Sequence, residues 1–307
     1  MGKHHHHQDL IGRRLWIAVI VNLTLTVVEV VGGIVAGSLA LIADALHNFS
    51  DAASLLLALL AHQIARRPAD EVMTYGYGRA EIIAALINFT TLMVVGIYLV
   101  YDAIARVFNP EPVTGWIMVV VAGVALVIDL VTAWLTYTFA KNSMNMRAAF
   151  IHNMADALAS LGVIIAGTLI IVLEWHLADA IVTLAIAGYV MAHGASEIGG
   201  AIRILMSGAP ADPNLADTIA ALQGIDGVES IHHVYLWAID EHRTSFEAHV
   251  VTTMISGEDA EALKARLRAM LDKEFGISHS TLELEFVGHG TDCGHNHSPA
   301  LPGKSTV

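Results

Sequence analysis

Long apolar stretches alternate with short polar breaks over the first two thirds of the chain. Six of them come near the ~20 residues that a bilayer span requires: roughly 15–37, 39–64, 82–107, 114–140, 148–173 and 178–205. Ala36-Gly37-Ser38 leaves room only for a tight reversal between the first two. Arg66 to Arg79 is a polar, glycine-punctuated loop, and Asn109-Pro110-Glu111-Pro112 is a proline stop. Past Gly208-Ala209-Pro210 the pattern shortens. Leu215 to Leu222 reads as a short amphipathic helix and Val228 to Ala238 as a β-rich run. Thr244 to Met254 alternates as Phe246, Ala248, Val250, with Asp240 to Arg243 as the hairpin turn before it. Ser256-Gly257-Glu258-Asp259 opens a helix to about Phe275, and Thr281 to Val287 alternates apolar and acidic residues. The pattern predicts an α-helical membrane protein, six transmembrane helices followed by a small α+β domain of order αββαβ. Its segments are a tail over 1–14, a transmembrane domain over 15–208, a cytoplasmic domain over 209–287 and a Gly, His, Pro and Ser-rich tail over 288–307.

Composition agrees: 55% of the 307 residues are hydrophobic and 15% charged, against about 25% charged in soluble domains. Residues 1–208 hold 10 Lys and Arg against 14 Asp and Glu, while residues 209–307 hold 6 against 15. Most of the net charge of −13 therefore lies in the last third. An acidic balance argues against nucleic acid and suits attraction of cations. Lys3, Arg13, Arg14, Arg66, Arg67, Arg79, Lys141, Arg147 and Arg203 fall on one side of a six-span arrangement, with only Arg106 near the other. The positive-inside rule then puts both termini in the cytoplasm, with the chain in the inner (plasma) membrane. Cys293 is the single cysteine, so no intrachain disulfide forms. The N-terminus has no signal-peptide pattern. Its His4 to His7 run fits an expression-tag remnant and a native metal-collecting tail equally well.

Within the spans one pattern carries chemistry. His47-Asn48-Phe49-Ser50-Asp51-Ala52 returns as His152-Asn153-Met154-Ala155-Asp156-Ala157. A His and an Asp four residues apart project from one face of a helix. Two such pairs supply two imidazoles and two carboxylates, a complete tetrahedral set for a metal such as zinc. Interhelical bonding accounts for one buried polar residue more easily than for four in matched pairs, and ionisable groups are costly in hydrocarbon. Asn48 and Asn153 serve either to orient these ligands or as helix–helix contacts. Glu29, Asn22, Asn88 and Asp129 either line an ion pathway or bond between helices, Asp44 belongs at a cavity mouth, and Asp179 reads as a helix-start residue.

The segments Ala43 to Asp51 and His152 to Asp156 resemble the second and fifth spans of the cation diffusion facilitator family. Tyr75-Gly76-Tyr77-Gly78-Arg79-Ala80-Glu81 resembles the stretch before that family's third span, Val30 to Gly33 with Ser38 to Leu41 its first hairpin, and His232 to Trp237 the opening of its cytoplasmic domain. The resemblance covers about residues 12–287 and is to the bacterial zinc-exporting branch. It implies a homodimeric zinc/proton antiporter in the lipid bilayer with a ferredoxin-like cytoplasmic domain. It implies His47, Asp51, His152 and Asp156 as the transport site, with Zn2+ as the transported ion and cadmium, cobalt or other divalent transition metals as further cargo.

The resemblance also maps His232, His249, Glu283 and Glu285 onto a regulatory zinc site, with His233 and His279 nearby; the alternative is ordinary surface. His289, Asp292, Cys293, His295 and His297 form a loose tail cluster. Two family features are absent: a loop metal site beside Asp70 would need ligands where Met73 and Tyr77 stand, and an ionic interlock with Arg79 would need an acid where Ser207 stands. Arg79 is therefore expected to find another partner. The rival functions are a membrane metalloenzyme and a zinc sensor built on the same four ligands. Against the enzyme, four protein ligands close a site that catalysis keeps open, and no HExxH or comparable Ser/His or Cys/His arrangement occurs.

Overall fold

The computed structural model describes residues 5–140, 144–253 and 256–287, with the backbone alone over 5–19, 138–140 and 144–146 and at 22, 55, 136, 148 and 149. Six long helices come first: α1 (His5–Ala36), α2 (Leu39–Ala65), α3 (Arg79–Phe108), α4 (Gly115–Ala140), α5 (Met144–Leu173) and α6 (Leu177–Leu205). A helix α7 (Leu215–Gln223), strands β1 (Val228–Ala238) and β2 (Thr244–Thr252), a helix α8 (Gly257–Phe275) and strand β3 (His279–Phe286) follow. The αββαβ order is the expected one. Among the described residues, Arg79–Phe108, Gly115–Leu135, Phe150–Leu173 and Leu177–Leu205 are long and apolar enough to cross a membrane, and Leu23–Ala36 is a shorter apolar helix.

The chain divides into two compact units, Met1–Leu60 with Ala84–Ile198, and Ala61–Ile83 with Gly199–Val307. The core of the first is built largely from alanines, among them Ala40, Ala103, Ala122, Ala166 and Ala187, with Leu41, Met118 and Val163 filling the space between. Small side chains let helix backbones approach closely, which is how helices associate where water offers no hydrophobic drive. The approach of α4 to α5 is an extreme case. A Cβ on Gly115 would stand 2.5 Å from the carbonyl oxygen of Gly167, so neither position tolerates a side chain. Gly37 takes φ +70° in the reversal between α1 and α2, a conformation open to glycine at little cost. Asp179 starts α6 as expected, but its carboxylate serves a different helix. It accepts from Ser38 Oγ at 2.5 Å and from the backbone amides of Leu39 and Ala40, satisfying the first turn of α2.

In the second unit β1 pairs antiparallel with β2, and β2 pairs parallel with β3 through α8. Phe246, Ala248 and Val250 of β2 pack with Leu222, Leu263, Leu267 and Leu271 of the two helices, leaving the opposite sheet face to polar residues. Ser256 caps α8 by accepting from the Asp259 amide, and Gly276 ends it in a left-handed conformation. The family-mapped interlock is replaced by neutral contacts: Arg79 Nε donates to the Ile239 carbonyl at 2.9 Å and Nη2 to the Ser207 hydroxyl at 3.3 Å.

Candidate metal centre

The two HNxxDA copies lie on α2 and α5, each pair one turn apart, and the helices bring all four side chains together. One ligand atom from each of His47, Asp51, His152 and Asp156 lies within 4.8 Å of the others. His47 Nε2 stands 3.8 Å from Asp51 Oδ2 and 3.2 Å from Asp156 Oδ1. His152 Nε2 stands 3.0 Å from Asp51 Oδ2 and 3.5 Å from Asp156 Oδ2. Ligands 2.0–2.1 Å from a tetrahedral zinc are roughly 3.3 Å apart, so the spacing already approximates a coordination shell. His47 Nδ1, His47 Nε2 and Asp156 Oδ1 are buried and meet hydrogen-bond geometry with no protein atom. Buried polar atoms are seldom left so, because each costs about 1–3 kcal/mol. A cation between the two pairs would satisfy Nε2 and Oδ1 together. The cluster has two sides: the His47 and Asp156 side chains are each 8% exposed, those of Asp51 and His152 29% and 44%.

Around these four, other polar residues of the long helices find partners on neighbouring helices. Asn48 donates to Glu29 at 2.9 Å, tying α1 to α2 rather than orienting a ligand. Asn88 donates to Ser50 and Ser54, tying α3 to α2. Asp44 is 1% exposed, so it does not stand at a cavity mouth; the Ser160 hydroxyl lies 3.3 Å from Asp44 and 3.2 Å from Asp129. The side chain of Asn22 lies outside the described residues. Tyr189 of α6 is a participant that no motif announced. Its ring lies 6.3 Å from that of His47, and it lines a cavity of about 330 Å³ that reaches His47 and Asp156 between apolar walls.

A second cluster occupies the polar face of the sheet. His232, His249 and Glu285 bring one ligand atom each within 4.8 Å of the others. His249 Nδ1 stands 2.8 Å from Glu285, and its Nε2 3.4 Å from Glu283. In a regular strand His232 would share a face with Val234 and Leu236, which are core residues. A register irregularity between His232 and Tyr235, with His233 at φ +49°, resets the alternation. The bulge leaves both His232 and His233 rings against His249, at 5.4 and 4.7 Å. His279 stands apart at the start of β3, beside Tyr75. His289, Asp292, Cys293, His295 and His297 lie outside the described residues. In the loop before α3, Asp70 is already engaged. The backbone amide of Met73, the Tyr77 hydroxyl and the amide of Val72 hold its carboxyl below the usual range.

Residues 15–206 match the Cation efflux transmembrane domain, and residues 210–286 match the Cation efflux protein, cytoplasmic domain. The chain is 33% identical over 292 residues to a Bacillus subtilis protein named cadmium, cobalt and zinc/H(+)-K(+) antiporter, covering 94% of each. It is 34% identical over 312 residues to the metal cation efflux system protein CzcD of Cupriavidus metallidurans, covering 100% of this chain and 98% of that one. It is 35% identical over 303 residues to the zinc transporter ZitB of Escherichia coli, covering 95% and 96%. These relatives are named as an antiporter, an efflux system protein and a transporter, none as an enzyme. The chain belongs to the cation efflux, or cation diffusion facilitator, family.

Proposed function

We propose that this protein exports zinc, with cadmium and cobalt as further cargo, from the cytoplasm in exchange for protons by alternating access. The observation that carries the reading is the convergence of His47, Asp51, His152 and Asp156 at coordination spacing, with buried ligand atoms that no protein group satisfies. The Bacillus subtilis relative's name, with cadmium, cobalt, zinc and H(+)-K(+) antiport, and the Escherichia coli relative's name, with zinc, support the choice of cargo and of an exchange mechanism. In this reading all six helices span the plasma membrane, both termini are cytoplasmic, and the protein works as a homodimer through a ferredoxin-like cytoplasmic domain.

Zinc binds neutral imidazole and ionised carboxylate, so protons compete with it for the same four groups. An imidazole released by zinc can take up a proton, which makes His47 and His152 the carriers of the exchanged proton in this reading. Two carboxylates offset the charge of the dication, so the loaded site is electrically neutral. The unequal exposure of its two halves suits loading past Asp51 and His152 onto the buried His47 and Asp156. The sheet-face donors His232, His249, Glu283 and Glu285 form a regulatory zinc site, whose metal favours one arrangement of the dimer by its differential affinity.

Zinc flux into proteoliposomes, measured with and without an imposed pH gradient, tests the coupling. Uptake that rises when the far compartment is acidic is the expected result. Flux indifferent to the gradient would remove proton exchange from the account.

A further inference from the structure

The second unit gathers another set of donors from three chain segments. Glu81 in the first turn of α3 and Glu241 and His242 in the β1–β2 turn bring one ligand atom each within 4.8 Å of the others. His62, in the last turn of α2, holds Glu81 through Nδ1 at 2.8 Å. None of these residues belongs to the HNxxDA repeat or to the sheet-face cluster.

The turn is not free to wander. Asp240 accepts from the backbone amides of His242 and Arg243 at 3.0 and 2.8 Å, and from Arg243 Nε at 2.7 Å. Arg243 Nη2 then donates to the Tyr75 carbonyl at 3.0 Å, while Arg79 Nε donates to the Ile239 carbonyl. Both shoulders of the hairpin are thus fixed to the segment that leads into α3, and Glu241 and His242 are held at Glu81. His62, Glu81 and His242 border a cavity of about 640 Å³, large enough to admit a hydrated ion.

A surface ion pair between His62 and Glu81 would need no ligand and contribute little. It leaves Glu241 unexplained. Two carboxylates this close repel unless a cation joins them, and among the described residues no Lys or Arg pairs with either. We propose that Glu81, Glu241 and His242 bind a divalent transition-metal ion such as zinc, with His62 orienting Glu81 and water completing the shell. Imidazole and carboxylate donors suit Zn2+ and Co2+. Three protein ligands leave a position open, so the ion exchanges with the surrounding solution. When bound it pins the hairpin to the first turn of α3.

The test is Zn2+ stoichiometry of the full-length protein in detergent micelles, by equilibrium dialysis, for the unaltered chain and E241Q/H242N. Both altered side chains are exposed turn residues whose backbone bonds remain, so the fold is preserved. The pair should bind one Zn2+ fewer per chain, and E81Q should reproduce the loss. Equal stoichiometry in E241Q/H242N overturns the site. A loss in E241Q/H242N with none in E81Q overturns the assignment of α3 to it. Neither readout involves transport, so failure of the export reading would leave the result distinct.

Discussion

The helix cluster and the sheet cluster use the same donors, imidazole and carboxylate, but reach them by different local geometry. On α2 and α5 the ligands stand four residues apart, and the helix alone aligns each pair. On the sheet, His232 reaches His249 only because a bulge at His233 breaks the strand's alternation. The helix site also buries His47 and Asp156, whose ring nitrogens and Oδ1 make no hydrogen bond there, whereas on the sheet His249 Nδ1 is hydrogen-bonded to Glu285 at 2.8 Å. The contrast fits the roles proposed above: a buried set with unbonded ligand atoms for the transported ion, and a sheet set with a hydrogen-bonded histidine for a regulatory one.

The sharpest way to break this contrast is to delete one ligand from each. His47→Ala should weaken zinc binding at the helix site by more than about 100-fold, beyond the range usual for groups that merely support a ligand, as read by competition with a chromophoric chelator. His249→Ala should remove zinc from the sheet face but reduce flux only in part; complete loss of flux would make the sheet site part of the transport path.

Gly167→Leu tests the close packing of α4 against α5, the helix that carries His152 and Asp156. Because Gly115 and Gly167 meet backbone to backbone, the change should lower stability by about 1–3 kcal/mol, seen in thermal melting, and leave sheet-face zinc binding intact. His233→Val tests the bulge. A β-branched residue resists positive φ, at about 1–2 kcal/mol, so the strand should regularise and the sheet-face affinity should fall although no ligand is removed.

The smallest expected effect concerns the hairpin. Burial disfavours the charged form of Asp240, but the Arg243 side chain and the amides of His242 and Arg243 outweigh it and hold the carboxyl below its usual range. A lowered value stabilises the turn above the ordinary carboxylate range, and that contribution is lost as pH falls through the folded value. Asp240→Asn should therefore speed amide exchange of Arg243 about fivefold at neutral pH, the worth of one hydrogen bond. The difference should shrink below about pH 4.

Much of this was legible in the chain. Apolar length gave the helices, since a bilayer-sized run leaves few alternatives, and the alternation of Phe246, Ala248 and Val250 gave the inward face of β2. The convergence of His47, Asp51, His152 and Asp156 was legible because their spacing matches the helix repeat. Long-range pairings were not. Asp179 sits in the first turn of α6, and nothing local says that its carboxylate caps α2. Asp44 looked like a residue at a cavity mouth, yet Ser160 of a distant helix lies beside it in the interior. Tyr189 stands in no motif, and Glu81, Glu241 and His242 come together across a hairpin that Arg79 and Arg243 bond to the segment before α3. Each of these depends on contacts between segments far apart in sequence, which periodicity does not encode.

The central claim is that the four helix ligands carry the ion. Its most direct test is radioactive zinc uptake into proteoliposomes under one fixed pH gradient, comparing the unaltered protein with Asp156→Ala at equal reconstitution. The account predicts uptake in the first and only the leak of empty liposomes in the second. Undiminished uptake by Asp156→Ala would contradict it.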